Sequence, residues 1–357
     1  MPNLPSTYSR YVLHGTGSFD VLKLEDNVSL PSPRLGEVLV RVRAVALNNR
    51  DLQVAKGQYP GAEDKIIPCS DAAGEVVQVG EGVPKWKEGD KVMASFTLGL
   101  ERGQMDDVSL FGTMLGAGCD GVLAQYRVLP AHALVAMPAH ISFEEASTLP
   151  CAPVTVYNAL FSGPLPIKPG MTVVLQGTGG VSVAGAQLVV AAGGNAIITS
   201  SSDEKLQRVK DWIHNSHNHG GAGRLHTINY KMTPDWDKEV LKLTKGGRGA
   251  DKVVEIGGSG TLEKSINALR QGGEIDDIGY LAGGSAPDIS RLILLKGALL
   301  RGILIGSRKH LEELSDFVET AKLKPLVDKV FEFDQAKEAY QFLSEATLVG
   351  KVVIRVA

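Results

Sequence analysis

Hydrophobic and polar positions alternate in two different ways along the chain, and the change falls near Pro150. Before it, short runs of β-branched residues are separated by turns rich in glycine and proline. The runs that we predict as strands are residues 38–46, 74–79, 91–94 and 121–128. Their spacing is typical of an antiparallel, partly barrel-like region with few helices.

After Pro150, apolar runs alternate with segments of helical length. The pattern predicts strands at residues 172–176, 196–201, 226–230, 252–256, 274–279 and 298–305, and helices at residues 181–192, 203–214, 235–245 and 261–270. This alternation indicates an α/β fold with a doubly wound parallel sheet.

The C-terminal part predicts two helices, at residues 311–321 and 335–344, and a closing strand at residues 350–356. A terminal strand rich in valine and isoleucine seldom stands alone. We therefore expect it to pair within the N-terminal β region. The α/β domain is then an insertion into a mainly β domain.

The composition agrees with a globular protein of about two domains. The chain has 357 residues, of which 43% are hydrophobic and 22% are charged, as in ordinary globular proteins. Its 37 basic and 40 acidic residues leave no basic surplus for nucleic-acid binding. The most apolar stretch, residues 181–198, is interrupted by polar residues and glycine, so we predict no membrane span.

Cysteine content and the N-terminus bear on location. Cys69, Cys119 and Cys151 have no paired spacing that indicates disulfides. The first residues lack a basic segment followed by an apolar one, so no secretory signal is predicted. Both observations favour a reducing, cytoplasmic setting.

A glycine turn directly follows the predicted strand at residues 172–176. It reads Gly177, Thr178, Gly179, Gly180 and Val181, and an apolar helix follows. A strand, a tight turn and a helix N-terminus in this order are typical of dinucleotide binding, because backbone N–H groups face the pyrophosphate. Ser182 replaces the third glycine, and a glycine-rich turn without a ligand is the alternative.

The end of the next strand bears on which dinucleotide binds. An NAD site usually has an acidic residue about 20 residues after the first glycine, whereas Ser200 and Ser201 stand here. Serine hydroxyls can donate hydrogen bonds to a 2′-phosphate, and Lys205 can supply the opposite charge. We therefore predict NADP(H). The alternative is that Ser202 simply caps the next helix.

Several blocks of the chain resemble the medium-chain dehydrogenase/reductase superfamily, in its zinc-independent branch of quinone-oxidoreductase-like and zinc-type alcohol dehydrogenase-like proteins. They cover nearly the whole chain in order, at residues 46–51, 68–82, 87–92, 146–160, 169–180, 200–206, 228–230 and 350–353. The resemblance implies a GroES-like catalytic domain, residues 1–152 and 306–357. A Rossmann domain, residues 153–305, interrupts it, with substrate in the cleft between them. A homodimer joined through the edge strand at residues 298–305 is also implied.

One departure from the family is informative. Zinc-dependent members hold their catalytic metal with a cysteine, a histidine–glutamate pair and a second cysteine, and the matching residues here are Asn48, Ser70-Asp71 and Cys151. A lone cysteine without an imidazole cannot complete the three-ligand site that catalytic zinc needs. The four-cysteine structural lobe is missing too. We therefore predict no metal, and expect Cys151 to be a packed residue rather than a nucleophile.

Without a Lewis acid, the remaining chemistry is hydride transfer from NADPH to an acceptor activated by its own conjugation. An enone or a quinone is the leading prediction, since it delocalises the incoming charge onto oxygen. A second hypothesis is an NADP-dependent alcohol dehydrogenase or a ketone or aldehyde reductase. A non-catalytic NADPH-binding protein is the hypothesis from another class.

Asn48 is the catalytic candidate, as a group that orients the substrate oxygen or the nicotinamide. An amide satisfied by its own turn, residues 47–50, is the alternative. Further candidates for the substrate cleft are Arg50, Tyr59, Asp71, Phe96 and Leu98. Their alternatives are an Arg50–Asp51 ion pair, a strand-end cap at Asp71 and ordinary packing for the rest.

The resemblance adds four residues to the predicted cofactor contacts, namely Thr155, Tyr230, Gly257 and Lys351. A group of histidines, His214, His217, His219 and His226, lies in and beside a polar glycine-rich segment. We interpret this segment as a solvated loop rather than a metal site, because no helical register or carboxylate accompanies it.

Overall fold

The computed structural model describes residues 4–60, 64–216, 223–284 and 288–356. Its strands are β1 (Thr7–Leu13), β2 (Leu22–Ser29), β3 (Glu37–Leu47), β4 (Asp71–Val79), β5 (Lys91–Ala94), β6 (Tyr126–Pro130), β7 (Leu134–Ala136), β8 (Thr172–Gln176), β9 (Asn195–Ser200), β10 (Arg224–Asn229), β11 (Ala250–Glu255), β12 (Leu269–Asp277), β13 (Leu299–Gly302), β14 (Val327–Glu332) and β15 (Lys351–Arg355). Its helices are α1 (Asn49–Ala55), α2 (Phe143–Ser147), α3 (Ala152–Phe161), α4 (Gly180–Ala191), α5 (Asp203–Ser216), α6 (Trp236–Leu243), α7 (Leu262–Ala268), α8 (Ile289–Lys296), α9 (Arg308–Ala321) and α10 (Ala336–Ser344).

The chain divides into two compact units, the first formed by Met1–Val154 with Ile305–Ala357 and the second by Thr155–Leu304. The first has the GroES-like β architecture and the second the Rossmann architecture, as predicted. None of the helices in the described ranges is both long enough and apolar enough to cross a membrane.

An antiparallel sheet forms the centre of the first unit. Across the described residues its strand order is β14-β15-β3-β4-β5-β7, and β6 pairs with the other part of β3. Val38, Val40 and Val42 of β3 point into the core of this unit, because alternate residues of a strand share one face. Strands β1 and β2 pair with each other beside this sheet.

The C-terminal strand returns to this sheet, which confirms the prediction. β15 lies between β3, to which it is antiparallel, and β14, to which it is parallel. The register pairs Ala46 with Asp71 on one side of β3 and Leu47 with Val352 on the other. Since antiparallel neighbours run in opposite directions, the end of β3 lies beside the beginnings of β4 and β15. Three chain segments that are far apart in sequence therefore meet at one edge.

The strand predicted at residues 121–128 is shifted in the structure. Regular pairing with β3 covers Tyr126–Pro130, because the preceding backbone bonds elsewhere. The Gly121 N–H donates to the Ile67 carbonyl at 2.6 Å, and a Cβ on Gly121 would lie 2.1 Å from the Cys69 carbonyl oxygen. This glycine permits a close approach of two loops and does not belong to a strand.

The second unit contains a parallel sheet covered by helices. Within the described residues its strand order is β10-β9-β8-β11-β12-β13. The order reverses between β8 and β11, which is where Rossmann folds bind dinucleotides, at the carboxyl ends of the strands. Val174, Ile197, Val253 and Ile275 contribute side chains to the buried core from four neighbouring strands.

Some elements lie outside our predictions, among them β1, β2, β14, α3 and α8. β14 reads V-D-K-V-F-E, and most of its residues are exposed or half-buried, so its apolar signal is weak. β13 is also shorter than the strand predicted at residues 298–305, since regular pairing with β12 stops at Gly302.

Lys252 on β11 is fully buried in the second unit. Its Nζ lies 3.2 Å from Glu274 and 2.9 Å from Asp276 on β12, and it donates to the Leu165 carbonyl at 3.2 Å. Burial raises the pKa of Asp276, and the charge of Lys252 opposes this rise. The lysine therefore compensates two carboxylates that are removed from water.

We expect Lys252→Met to lower the free energy of unfolding by about 3–5 kcal/mol, because it removes the closest cation from the buried carboxylates of Glu274 and Asp276. Arg301 stays 3.6 Å from Asp276. Denaturant unfolding followed by tryptophan fluorescence measures this, since Trp236 is buried in the same unit. The control is Lys242→Met, which removes an exposed pair with Glu239 and should cost less than about 1 kcal/mol. Equal effects of the two substitutions would contradict the expectation.

Candidate active site and dinucleotide site

Asn48 follows the last residue of β3 and directly precedes α1. Its backbone is extended, with φ −126° and ψ 158°, and its N–H donates to Asp51 Oδ2 at 2.7 Å. A carboxylate at the third helical position often caps a helix in this way. The Asp51 contact fixes the backbone at Asn48 and leaves its side chain available for other contacts.

The Asn48 side chain contacts Lys351 as well as the start of its own helix. Lys351, the first residue of β15, donates from Nζ to Asn48 Oδ1 and to the Leu47 carbonyl, the latter at 2.6 Å. Lys351 is 6% exposed. Asn48 and Asp51 also form a capping box at the start of α1, so the amide has partners both within its own turn and outside it.

Asp71 completes this group from the beginning of β4. It is fully buried, its Oδ1 accepts from Ser70 Oγ at 2.6 Å, and its Oδ2 lies 3.8 Å from Lys351 Nζ. Burial raises the pKa of Asp71, while Lys351 and hydrogen bonding from Ser70 oppose the rise. Asp71 is thus the first residue of β4 and also an ionic partner of Lys351.

Asp51 lies beneath the same turn and is also buried. Its Oδ1 is 3.8 Å from Arg50 NH1, so the two residues form a loose ion pair rather than a direct hydrogen bond. Burial raises the pKa of Asp51 to about 6, although Arg50 and the N–H of Asn48 stabilise the charged form. The capping carboxylate therefore titrates closer to neutrality than an exposed aspartate.

Arg50 lies between two of the other predicted cleft residues. Its guanidinium carbon is 4.9 Å from the centre of the Tyr59 ring and 4.6 Å from that of Phe96, within the range of cation–π attraction. NH1 also donates to the Leu115 carbonyl at 2.7 Å. Leu98, the remaining candidate, is half-buried and packs against the core of this unit.

The Cys151 thiol lies near the charged groups of this site. The charges of Asp71, Lys351, Arg50 and Asp51 all influence its pKa. Burial is the largest influence and raises the pKa of Cys151, so the group stays a thiol at neutral pH. A nucleophilic or metal-binding cysteine needs the thiolate. The pKa supports the interpretation of Cys151 as a packed residue.

These residues do not fit a catalytic zinc ion. Such a site needs three ligands of the cysteine, histidine or carboxylate type. Here the thiol favours its protonated form, and the ammonium group of Lys351 bonds to Asn48 and lies beside Asp71. A search of the described ranges for three or more clustered histidine, cysteine or acidic side chains finds no such group.

The glycine turn of the second unit has an open backbone surface. Gly177 has φ +77°, and Gly179 is the residue before α4. A Cβ placed on either glycine would meet no atom within 4 Å. This space and the N-terminus of α4 suit the phosphates of a dinucleotide, so the turn fits the predicted cofactor.

Close packing of α4 on the sheet depends on Gly185, a residue that the glycine motif did not single out. Ser182 stands at the third glycine position, and its hydroxyl donates to the Gln176 carbonyl at the end of β8. The close approach occurs one turn later, where a Cβ on Gly185 would lie 2.5 Å from Leu175 Cδ2. A glycine inside an apolar helix was the available signal.

The serine turn after β9 makes two local contacts. The Lys205 N–H donates to Ser202 Oγ at 3.3 Å, so Ser202 caps α5, as the alternative proposed. The Tyr230 N–H donates to the Ser200 carbonyl at 3.0 Å, which places Tyr230 next to this turn. Tyr230 is largely exposed, and Ser201 is half-buried.

Gln176 and Glu255 link the two strand ends on either side of the reversal point. Gln176 Nε2 donates to Glu255 Oε2 at 2.7 Å, and Gln176 Oε1 accepts from the Gly257 N–H at 3.1 Å. Glu255 Oε1 accepts from the N–H groups of Gly257 and Gly258 at 2.8 and 2.9 Å. Sequence reasoning missed this pair, although a glutamate ending an apolar strand was a visible signal.

The structure therefore gathers the predicted residues into two clusters in the first unit and one group in the second. In the first unit, Asn48, Asp71 and Lys351 are in contact, and Arg50, Tyr59 and Phe96 form a second cluster. In the second unit, the glycine turn, Ser200, Tyr230 and Gly257 lie at the carboxyl edge of the sheet.

The remaining residues that the sequence singled out are Thr155, a predicted cofactor contact, and the four histidines. Thr155 is buried in α3. His214 is exposed near the end of α5 and His226 lies in β10. His217 and His219 lie outside the described residues.

Comparisons with known proteins identify the family. Residues 34–139 match the family described as "Alcohol dehydrogenase GroES-like domain", and residues 222–354 match that described as "Zinc-binding dehydrogenase". The "Zinc-type alcohol dehydrogenase-like protein C1773.06c" of Schizosaccharomyces pombe is 42% identical over 97% of this chain and 99% of its own. The chain belongs to the medium-chain dehydrogenase/reductase superfamily, a family of oxidoreductases.

A solved structure and two named reductases extend the comparison. A putative alcohol dehydrogenase from Sinorhizobium meliloti 1021 superposes with a TM-score of 0.86 at 34% identity, covering 99% of this chain and 100% of that chain. The 2-methylene-furan-3-one reductase of Solanum lycopersicum is 27% identical over 99% of this chain and 80% of its own. The NADPH-dependent alkenal/one oxidoreductase of Arabidopsis thaliana is 26% identical over the same shares.

Proposed function

We propose that this protein is a zinc-independent oxidoreductase that uses NADPH to reduce an activated acceptor, an enone or a quinone. The observation that carries the proposal is the buried contact between Lys351 and Asn48. Asn48 matches a metal-ligand position of the zinc-dependent members, and here its amide oxygen accepts from an ammonium group. An acceptor that is activated by its own conjugation needs less polarisation than a simple alcohol or ketone.

NADPH, when bound, supplies a hydride. As the β-carbon of an enone gains the hydride, negative charge develops on the carbonyl oxygen, and the N–H group of Asn48 stabilises it. Proton transfer from water to the α-carbon then completes the reduction. A quinone is reduced in the same way, with the charge on its oxygen and one proton taken up from solvent, because the hydride supplies the other hydrogen.

Asn48 suits this role because its amide nitrogen is buried and lacks a conventional hydrogen bond. Asn48 is 8% exposed, and Nδ2 has no partner of normal geometry among the described residues. The Asn48 side chain nevertheless interacts with the Asp71 carboxylate, because hydrogen bonding from Asn48 lowers the pKa of Asp71. The amide nitrogen carries two N–H groups, so a substrate oxygen could accept from one of them while the other faces Asp71.

The catalytic test compares wild type with Asn48→Ala in NADPH oxidation with enones and quinones. We expect kcat to fall by about 100-fold, the usual effect of losing one oxyanion donor, while the Kd for NADPH changes by less than about threefold. Asn215→Ala, on the exposed face of α5, is the matched control and should behave as wild type. Metal analysis of the same active samples should find no stoichiometric zinc.

Other outcomes would favour the competing functions. Turnover of simple alcohols or ketones with no activity on conjugated acceptors would favour an alcohol dehydrogenase, the class in the name of the Schizosaccharomyces pombe relative. Tight NADPH binding without turnover across the whole panel would favour a non-catalytic binding protein. Zinc that is lost together with activity on chelation would refute zinc independence.

The choice of NADPH is supported by the turn after β9. Ser200 is followed by Ser201 and Ser202, and the first carboxylate, Asp203, begins the helix. A carboxylate 4 Å from a 2′-phosphate would oppose binding by about 4 kcal/mol per unit charge at an effective dielectric constant near 20. Lys205, in the first turn of α5, provides a nearby positive charge.

We expect tighter binding of NADPH than of NADH, measured by fluorescence titration. Lys205→Ala should weaken NADPH binding by about fivefold, because one partly exposed charge contributes about 1 kcal/mol, and should leave NADH binding unchanged. Lys210→Ala, an exposed lysine farther along the same helix, is the control. A wild type that binds NADH more tightly would contradict the choice of cofactor.

We also propose that two copies of the chain pair through β13. This strand is at one end of the parallel sheet, and the segment around it exposes Leu294, Leu299, Leu300 and Leu304 by 39–80% of their surfaces. Apolar side chains beside a free strand edge are typical of a symmetric interface.

Leu300→Glu should convert the dimer into a monomer in size-exclusion chromatography with light scattering, because the charge would be buried at the interface. Leu35→Glu, at an exposed leucine of the first unit, is the control and should remain dimeric. A monomeric wild type would contradict the proposal.

A further inference from the structure

The contacts of Lys351 differ from those of an ordinary buried ion pair. Its carboxylate neighbour, Asp71, lies 3.8 Å away, beyond a direct hydrogen bond. Its hydrogen bonds go to two uncharged oxygens, the Leu47 carbonyl and Asn48 Oδ1. Both acceptors belong to the turn between β3 and α1. The ammonium group is therefore bonded to the turn that carries the candidate catalytic amide.

This contact decides how the Asn48 carboxamide is oriented. An ammonium group has only donors, so it can bond to the amide oxygen but not to the amide nitrogen. A rotation of the carboxamide by half a turn would place the two N–H donors of Nδ2 against the ammonium hydrogens. Lys351 thus opposes that rotamer, and the Asn48 side chain also acts on the Asp71 carboxylate, which favours the same orientation. The second N–H of Nδ2 can then donate to a ligand.

The charge of Lys351 also strengthens the donor. A positive charge that is bonded to the amide oxygen draws electron density away from the amide nitrogen. Such polarisation is effective at a buried site with low dielectric. Lys351 and Asn48 are 6% and 8% exposed, so water screens their interaction little. The effect is directed through the amide, because the lysine is bonded to its oxygen.

We propose that Lys351 is a positioning residue for Asn48: its ammonium group holds the carboxamide with Nδ2 as the donor and polarises that donor toward the acceptor oxygen. This inference rests on the proposed function of Asn48. It differs from the family-based expectation that Lys351 contacts the cofactor, and the two ideas predict different kinetics.

The kinetic experiment combines Lys351→Met, Lys351→Arg and Asn48→Ala with the double variant Lys351→Met/Asn48→Ala. We expect Lys351→Met to lower kcat by about 30- to 100-fold with little change in the Kd for NADPH. Lys351→Arg keeps the charge and should retain more than about a tenth of the activity. In the double variant the loss should equal that of Asn48→Ala alone, since Lys351 acts through the amide.

Two kinetic outcomes would overturn the inference. Losses that multiply in the double variant would mean that Lys351 acts independently of Asn48. If Lys351→Met raises the Kd for NADPH and leaves kcat unchanged, Lys351 is a cofactor contact instead. Lys329→Met is the control, because Lys329 is an exposed lysine on β14, the neighbour of β15, and should leave kinetics unchanged.

A second measurement does not depend on turnover. The chain contains ten asparagines, so selective ¹⁵N-asparagine labelling gives few side-chain amide signals, and Asn48→Ala identifies that of Asn48. We expect Lys351→Arg to shift this signal, and Lys329→Met to leave it in place. An Asn48 signal that is identical in wild type and Lys351→Arg would overturn the inference, even if Lys351→Met does not fold.

The two measurements separate this inference from the proposed function. A wild type without turnover on any acceptor, together with an Asn48 signal that follows Lys351, would refute the function and retain the positioning of the amide. An active enzyme in which Lys351 substitutions change neither the Asn48 signal nor the kinetics as expected would retain the proposed function and refute the positioning of the amide.

Discussion

The arrangement of the first unit depends on keeping one ammonium group satisfied away from water. A buried charge is tolerated only where polar groups replace its hydration. For Lys351, the first residue of β15, these groups come from two other segments: the end of β3 and the beginning of β4. Antiparallel pairing places these segments side by side, with Ala46 opposite Asp71. The sheet register and the polar cluster therefore require each other.

In the second unit, polar side chains at strand ends also connect neighbouring segments. Here the groups are an amide and a carboxylate rather than an ammonium group. Gln176 and Glu255 end the strands on either side of the point where the strand order reverses, and they satisfy the backbone N–H groups of the next turn. The turn at Gly257 is thereby held beside the one at Gly177. In both units, buried side chains at strand ends determine the shape of the turns that a ligand would meet.

The polar cluster supports our proposal that the protein works without zinc. Metal ligands must present lone pairs to a cation, whereas Asn48 Oδ1 already accepts from the ammonium group of Lys351. The site still contains a positive charge, but this charge is the ammonium group of Lys351. It is bonded to the Asn48 amide. Such a site stabilises a developing oxyanion by hydrogen bonding, which suits acceptors that delocalise charge themselves.

Sequence patterns predicted both architectures and most strands of the parallel sheet, because these follow from local periodicity and the glycine turn after β8 follows from strand, turn and helix in succession. They missed β1, β2, β14, α3 and α8. They also singled out Asn48, Asp71 and Lys351, but as separate candidates with separate roles. Only the tertiary structure decided that Lys351 bonds to Asn48, that Gly185 provides the close packing of α4, and that Gln176 pairs with Glu255. These contacts join residues from about 10 to about 300 positions apart. Local periodicity carries no information about such pairs, since strand register and burial bring them together only when the whole sheet has formed.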